Sequence, residues 1–297
     1  ATSTVEAFRL PAGGAILPQL LEKEYYTLGK AANYSVSRIS GLVGYMLAGG
    51  VIALIGAVGA LWIDAATFLI SSAIIWSIRY KENLQGAKQT VKGVIQDFAE
   101  GFRFIRASRT IQTVSLIGLL INFGIMPLTV FQTPYVSDYL KMGPETLSYI
   151  KILTSVGMIT GSALLPKLGK IKTPVIAVAA GVIMGAALIE MSIAQSLSTP
   201  VLKMGILTLS MLSIGFGGGL LNVVIGSSVM KAVPKEMMGR ISGFLTAMMQ
   251  ASMPVASFIC SALAVYFHIP HILVFFGSLT LICSLALYFR KKLDALS

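Results

Sequence analysis

Eight long apolar stretches run through the chain of 297 residues, and nearly every lysine and arginine lies in alternate gaps between them. About 20 apolar residues of α-helix are enough to cross the hydrocarbon core of a bilayer. The pattern therefore predicts a multi-pass membrane protein made of helices. The predicted spans are Val36–Ile55, Ala57–Ile78, Ile111–Pro134, Leu147–Leu165, Val175–Ile193, Leu202–Met230, Ile241–Tyr266 and Ile272–Phe289.

The distribution of positive charge predicts the orientation of these spans. Nineteen lysines and arginines lie before or at the start of the first span and in the gaps after the second, fourth, sixth and eighth spans. The opposite side holds only Lys141 in a gap and Lys151 and Lys203 near the starts of spans, and Arg9 is left unassigned. Cytoplasmic loops carry the excess of such residues, so we expect the region of Lys23 and the C-terminus in the cytoplasm. Nucleic acid is not an expected partner, because these charges follow short membrane-edge loops rather than one soluble face.

The sequence carries no pattern typical of catalysis or of a bound cofactor. It contains neither a Gly-x-x-x-x-Gly-Lys-Ser/Thr phosphate loop nor a His-Glu-x-x-His segment. Cys260 and Cys283 lie in apolar spans and form no spaced pair. His268 and His271 are two histidines without further ligands, so we expect them to anchor the chain at the membrane interface. We therefore expect neither an enzyme nor a metal or other cofactor.

Two segments outside the eight spans also have helical character. Residues 5–21 are apolar and contain Pro11 and Pro18, which suggests the inner end of a ninth helix. Between residues 91 and 105, apolar residues recur at helical spacing among charged ones, which predicts an amphipathic helix on the inner leaflet. A solvated connector with incidental periodicity is the alternative.

Pairs of glycines recur at four-residue spacing within three of the spans. In lipid, such positions let helix backbones approach closely. We therefore expect tightly packed helix pairs, although the sequence does not name the partners. The pairs are Gly157 and Gly161, Gly181 and Gly185, and Gly215 and Gly219.

A short motif occurs twice, before the first span and before the seventh. Each copy has Lys-Glu, two bulky residues, and then Gly with a basic residue, if a gap of two residues is allowed. Parallel internal repeats are typical of transporters built from two related halves. A chance match over so few residues is the alternative. The copies are Lys23–Lys30 and Lys235–Arg240.

The chain resembles the major facilitator superfamily, and within it the bacterial drug-efflux branch that includes macrolide-efflux-like permeases. The resemblance implies an all-α fold of twelve helices in two six-helix halves, with the substrate bound centrally. By this register the eight spans are helices five to twelve, and the start of the chain is part of helix four, so the sequence is expected to be N-terminally truncated. The segments that carry the resemblance are Phe8–Ala12, Ile16–Pro18, Ile63–Leu69, Glu100–Arg106, Val233–Glu236 and Gly239–Arg240.

The resemblance also implies three segments and a function. Residues 1–80 would end the N-terminal bundle, 81–109 would form a cytoplasmic linker, and 110–297 would form the C-terminal bundle. The implied function is proton-coupled efflux of amphiphilic small molecules or drugs by alternating access, in the bacterial cytoplasmic membrane. The expected partners are the lipid bilayer, a small-molecule substrate and protons. The alternatives are an exporter of a peptide, siderophore or metabolite, and a truncated membrane protein that transports nothing.

Ionisable residues at membrane depth are the first candidates for a substrate or proton pathway, since each costs roughly 2.5–3.5 kcal/mol or more to insert. Glu6 and Arg9 are three residues apart and can share one face of the expected helix four. A frayed, hydrated terminus is the alternative for Glu6. Asp64 lies in the outer third of the second span. It is predicted to be a proton-coupling carboxylate, and the alternative is a structural residue bonded to a neighbouring helix.

Amides on apolar spans are the second group of candidates. Asn122 and Gln132 lie on the expected helix seven and Asn222 on helix ten, where amides suit the binding of bulky amphiphiles. Hydrogen bonds between helices are the alternative role. The loop before the seventh span is predicted to act as a cytoplasmic gate. Its candidate residues are Glu236, Gly239 and Arg240.

Overall fold

The computed structural model describes residues 17–19, 21–77, 100–143, 145–168 and 172–289. These residues form helices joined by short turns, and no strand occurs among them. The predicted all-α class is therefore confirmed. In lipid a helix satisfies the backbone hydrogen bonds within its own segment, which is why such apolar stretches become helical.

Nine helices are labelled here in chain order. The helix Tyr26–Ser77 is interrupted at Gly56, and its two parts, 26–55 and 57–77, are α1 and α2. Residues 100–107 form α3. The remaining helices are α4 (Arg109–Pro134), α5 (Glu145–Leu164), α6 (Thr173–Ala194), α7 (Pro200–Ala232), α8 (Met238–Ala264) and α9 (Ile269–Phe289).

Seven described helices are long and apolar enough to cross a membrane, and they coincide with the second to eighth predicted spans. The first predicted span, Val36–Ile55, is helical as part of α1 but is not one of the seven. The total of eight spans and their numbering therefore stay predictions. The seven segments are Val58–Ser77, Arg109–Leu140, Glu145–Leu168, Thr173–Ala194, Pro200–Ala232, Lys235–Ala264 and Ile269–Leu287.

Gly56 separates α1 from α2 by its backbone conformation. Its φ of 72° and ψ of 170° lie in a region that is essentially restricted to glycine. Every side chain of α2 from residue 61 to residue 77 is exposed, including Trp62 and Trp76. These apolar side chains are suited to contact with lipid.

Glycines allow close contacts between helices of the bundle, as their four-residue spacing predicted. A Cβ atom at Gly157 would overlap the Leu212 carbonyl of α7, and one at Gly215 would overlap the Thr154 carbonyl of α5. The helices α6 and α9 meet in the same way, since a Cβ at Gly185 would lie 2.7 Å from the Gly277 carbonyl oxygen. The structure thus supplies the partners that the sequence left open.

The two copies of the repeated motif have the same local structure. In each copy a 3-10 turn, Lys23–Tyr25 or Lys235–Met237, leads directly into a long helix. The first residues of these helices, Tyr26 and Met238, both have a φ of −58°, with ψ of −43° and −42°. Both side chains are buried. This agreement supports an internal repeat.

We predict that Gly215→Ala destabilises the protein whereas Gly205→Ala does not. The added methyl group at position 215 would meet α5 backbone atoms, while nothing lies within 4 Å of a Cβ at Gly205 on the same helix. Overpacking of this kind costs about 1–3 kcal/mol. Thermal unfolding of the two purified variants measures the difference. Equal melting temperatures would contradict the close packing of α5 and α7.

Candidate functional site

A cavity of about 530 Å³ lies between α1 and the helices α7 and α8. Its volume falls within the usual range for small-molecule sites, about 300–1,000 Å³. Its polar lining residues are Lys30, Asn33 and Ser37 of α1, Asn222 of α7, and Ser242 and Thr246 of α8. The apolar lining residues are Leu17, Ile225, Val229, Met230, Met238, Leu245 and Met249.

Helical spacing brings these polar side chains to the same cavity. On α1, Lys30, Asn33 and Ser37 are separated by three and four residues, so one face of the helix carries all of them. Ser242 and Thr246 are four residues apart on α8. None of the five forms a hydrogen bond or ion pair with another part of the chain that the structure describes. Each is therefore available to a ligand in the cavity.

Asn222 lies in the wall of this cavity. A residue predicted to contact the substrate needs such a position. Its Nδ2 atom donates a hydrogen bond to the Gly218 carbonyl of the same helix over 3.0 Å. That bond occupies one of the two donor positions of the amide and leaves its carbonyl oxygen free. Asn222 can thus offer both an acceptor and a donor to a bound molecule.

The side chain of Lys30 on α1 extends to Gly226 on α7. A Cβ atom at Gly226 would overlap the Lys30 side chain, with its Cδ and Cγ atoms 2.8 and 2.9 Å away. The absence of a side chain at position 226 therefore makes room for the aliphatic part of the lysine. Lys30 precedes the predicted span that begins at Val36, and burial lowers the pKa of its amine below the ordinary value.

Asn122 has the bridging role that was the alternative to substrate contact. Its Nδ2 atom donates to the Met249 carbonyl over 3.0 Å and to the Ser252 hydroxyl over 3.2 Å, which joins α4 to α8. Bonds of this kind contribute about 0.6 kcal/mol on average. Because Met249 lines the cavity, Asn122 supports the cavity wall from behind.

The other predicted pathway residues are not in the described wall of this cavity. Asp64 is exposed on α2, where its backbone carbonyl accepts a hydrogen bond from the Thr67 hydroxyl. Gln132 is half-buried near the end of α4. Glu6 and Arg9 lie outside the described residues. Their roles, like that of Asp64, stay predictions.

The predicted gate loop contacts the short helix α3 through Arg240. The Nη1 atom of Arg240 donates to the Glu100 Oε2 atom over 3.1 Å, and both side chains are exposed. Beside this ion pair, the rings of Phe102 and Phe244 lie 6.1 Å apart. The C-terminal end of the predicted amphipathic segment thus packs on the start of α8, and its earlier part lies outside the described residues.

Glu236 and Gly239, the other predicted gate residues, are exposed at the same end of the bundle. Glu236 lies in the 3-10 turn before α8, and Gly239 follows the first residue of that helix. The structure thus brings Arg240 into contact with α3, while Glu236 and Gly239 flank that contact in the sequence.

His268 and His271 lie at the opposite end of the bundle from Arg240. They help to line an apolar groove of about 690 Å³ with Tyr266, Phe267 and Phe275, and the two imidazole rings are 6.1 Å apart. The Tyr139 hydroxyl lies 3.5 Å from the His268 Nδ1 atom. Within the described ranges, no three His, Cys, Asp or Glu residues come together as metal ligands.

The polar residues of α1 in this cavity were not among the sequence-based candidates. Lys30 counted only as one of many basic residues at the membrane edge, and it matched Arg240 in the repeated motif. The structural repeat, however, pairs Tyr26 with Met238, so Lys30 lies two residues further along its helix than Arg240. Two residues correspond to about 200° around an α-helix, which explains why Arg240 meets α3 whereas Lys30 meets the cavity.

Membrane transporters bind their substrates in cavities between apolar helices. The family model for the Major Facilitator Superfamily matches residues 2–257. The chain therefore belongs to the Major Facilitator Superfamily. This membership identifies it as part of a multi-pass membrane transporter rather than an enzyme.

Curated relatives agree with this family. The chain is 26% identical over 256 residues to the uncharacterized MFS-type transporter YkuC of Bacillus subtilis, covering 81% of this chain and 57% of the relative. It is 22% identical over 254 residues to the multidrug efflux pump Tap of Mycobacterium tuberculosis, covering 83% of this chain and 58% of the pump. The matched region is thus a little more than half the length of either relative.

A solved structure has the same fold. It is described as a bacterial homologue of the iron transporter ferroportin in an outward-facing state, and it matches with a TM-score of 0.63 at 13% identity. The match covers 93% of this chain and 67% of that protein. At such low identity the likeness concerns the fold alone.

Proposed function

We propose that the complete protein is a proton-coupled exporter of amphiphilic small molecules in the bacterial cytoplasmic membrane. The observation that carries this proposal is the cavity between α1, α7 and α8, in which six polar side chains lie among leucine, isoleucine, valine and methionine. Such a wall suits a molecule with a large apolar part and a few polar groups. The similarity to a multidrug efflux pump supports the direction of transport.

The cavity is formed by parts of the chain that would belong to different halves of the transporter. α1 would be helix five of the N-terminal half, whereas α7 and α8 would be helices ten and eleven of the C-terminal half. Beside the cavity, α1 meets α5 through a polar contact, with the Ser35 and Ser162 hydroxyl oxygens 2.7 Å apart. The Tyr34 hydroxyl also lies 3.6 Å from the Met158 sulfur.

The orientation of this cavity follows from the distribution of positive charge. Lys30, Lys231 and Arg240 lie at the end of the bundle that the positive-inside rule assigns to the cytoplasm. An exporter collects its substrate from this side. Proton coupling itself rests on the family resemblance, with Glu6 and Asp64 as the proposed carboxylates.

We predict that cells expressing the complete gene accumulate less ethidium or carboxyfluorescein than cells without it. An uncoupler should abolish the difference, because it removes the proton gradient. Thr246→Trp should also abolish it, since the indole would fill the cavity. Accumulation of the dyes in a strain lacking its own drug exporters gives the measurement.

Thr199→Trp is the matched control for this experiment, because Thr199 is exposed at the far end of α7. It should leave export unchanged. Unchanged accumulation of both dyes in cells that contain the wild-type protein would contradict efflux. Export that persists in Thr246→Trp would contradict the cavity as the substrate site.

We further propose that the pair of Glu100 and Arg240 couples the linker to the second bundle during transport. An exposed pair contributes about 0.2–1 kcal/mol, so each single charge reversal should slow export by no more than about five-fold. The double variant Glu100→Arg/Arg240→Glu should restore the rate because it re-forms the pair in reverse. Initial rates of dye export measure these effects.

Arg103→Glu is the control for this second experiment. Arg103 is an exposed arginine on the same short helix, so its reversal should leave the export rate close to that of the wild type. A double variant no faster than the single variants would contradict a direct role of the pair, as would an equal effect of Arg103→Glu.

A further inference from the structure

The described wall of the cavity carries a positively charged residue and no negatively charged one, and this difference favours some ligands over others. Among the described residues that line it, one is a lysine and none is an aspartate or glutamate. The other polar lining groups are hydroxyls and amides, which donate and accept hydrogen bonds without adding charge. The described wall is therefore positive at Lys30 and neutral elsewhere.

Lys30 has no partner in the described part of the protein that would balance its charge. No hydrogen bond or ion pair joins it to another described residue, and its side chain is half-buried. Removing an ammonium group from water without a partner is unfavourable. A nearby negative charge favours the charged form of the amine and offsets that cost.

The position of Lys30 is fixed by α7 rather than left to a flexible side chain. Gly226 provides the space that the aliphatic part of Lys30 occupies. One helical turn away, Asn222 lines the same cavity, and Ser242 and Thr246 line it from α8. Lys30 and these hydrogen-bonding groups thus line the same cavity from α1, α7 and α8.

The remaining wall suits an apolar group. Met230, Met238 and Met249 line the cavity together with leucine, isoleucine and valine side chains. Methionine is flexible and polarizable and adapts to apolar groups of different shapes. The cavity therefore has a place for an apolar body next to a place for a polar or charged head.

We propose that this cavity binds amphiphiles whose charged head is an anion, such as a carboxylate, sulfonate or phosphate, and that Lys30 receives that head. This inference rests on the proposed function and narrows its substrate class to amphiphilic anions. The anion can come from a soluble amphiphile or from the headgroup of an anionic lipid, since both present the same chemistry.

Binding to the purified complete protein tests this proposal independently of transport. The probes are N-dansyl-leucine and its primary amide, which share the apolar body and differ in the carboxylate. Fluorescence titration in nanodiscs of phosphatidylcholine should show tighter binding of the acid. Lys30→Gln should weaken binding of the acid by about ten-fold, the low end of what a hydrogen bond to a charged group contributes, and leave the amide unchanged.

Two variants control for folding and for general charge. Lys30→Arg keeps the positive charge and should retain the preference for the acid. Lys231→Gln removes an exposed charge from the last turn of α7 and should affect neither probe. Equal affinity of the wild-type protein for both probes, or no binding of the acid, would overturn the proposal. A ratio of affinities that Lys30→Gln leaves unchanged would also overturn it.

Added phosphatidylglycerol distinguishes the two sources of the anion. Competition with N-dansyl-leucine that depends on Lys30 would identify a lipid headgroup as a ligand of the cavity. Lack of competition, with the preference for the acid intact, would identify soluble amphiphiles as the ligands.

Export of ethidium without binding of the acid would leave the proposed efflux standing and reject Lys30 as an anion site. Binding of the acid without export of any dye would support Lys30 as an anion site and contradict the proposed efflux.

Discussion

The close approach of backbone to backbone along α7 is the contact on which the rest of the arrangement depends. Gly215, Gly219 and Gly226 are spaced by four and seven residues, so they form one row along the helix. The first two members receive the backbone of α5, and the third receives the side chain of Lys30 from α1. The same row thus joins α5 to α7 and shapes one wall of the cavity.

This row explains why the polar groups of the cavity lie where they do. With α7 fixed against α5, the amide of Asn222 lies one turn from Gly226 and lines the cavity that α1 and α8 share. Asn122 secures α8 from the other side by its bonds to Met249 and Ser252. The polar groups of this wall that lack protein partners face a space that a ligand or water can reach.

Much of the fold could be predicted from the sequence because hydropathy and membrane thickness act on each segment by itself. The approximate positions of the segments that hold α4 to α9 follow from that local constraint, and the glycine pairs predicted close packing. The choice of partners could not be predicted, since Gly157 carries the same spacing signal whether it meets α7 or α9. Partner choice depends on the order of helices in the bundle, which no single segment contains.

The site was less predictable than the fold for a related reason. Asn222 was identified as a polar residue on an apolar helix, and the cavity includes it. Lys30 was not identified, because a basic residue at a membrane edge is ordinary and only its angle around α1 brings it to Gly226. Asp64 fitted the pattern of a coupling carboxylate, yet it lies on α2, outside the described wall of the cavity. The position of a residue along the chain predicts its depth in the membrane. Whether it lines a cavity also depends on the direction in which its side chain points from the helix.

The central claim is that the cavity between α1, α7 and α8 holds the transported molecule, and covalent labelling tests it most directly. In a variant of the complete protein with Cys260 and Cys283 replaced by alanine, Thr246→Cys would place a thiol in the cavity wall. We predict that a maleimide labels this thiol and that the exported dye slows the labelling, while Arg103→Cys on the exposed face of α3 is labelled at the same rate with or without dye. Labelling of Thr246→Cys that the dye leaves unchanged, or slows no more than labelling of Arg103→Cys, would contradict the account.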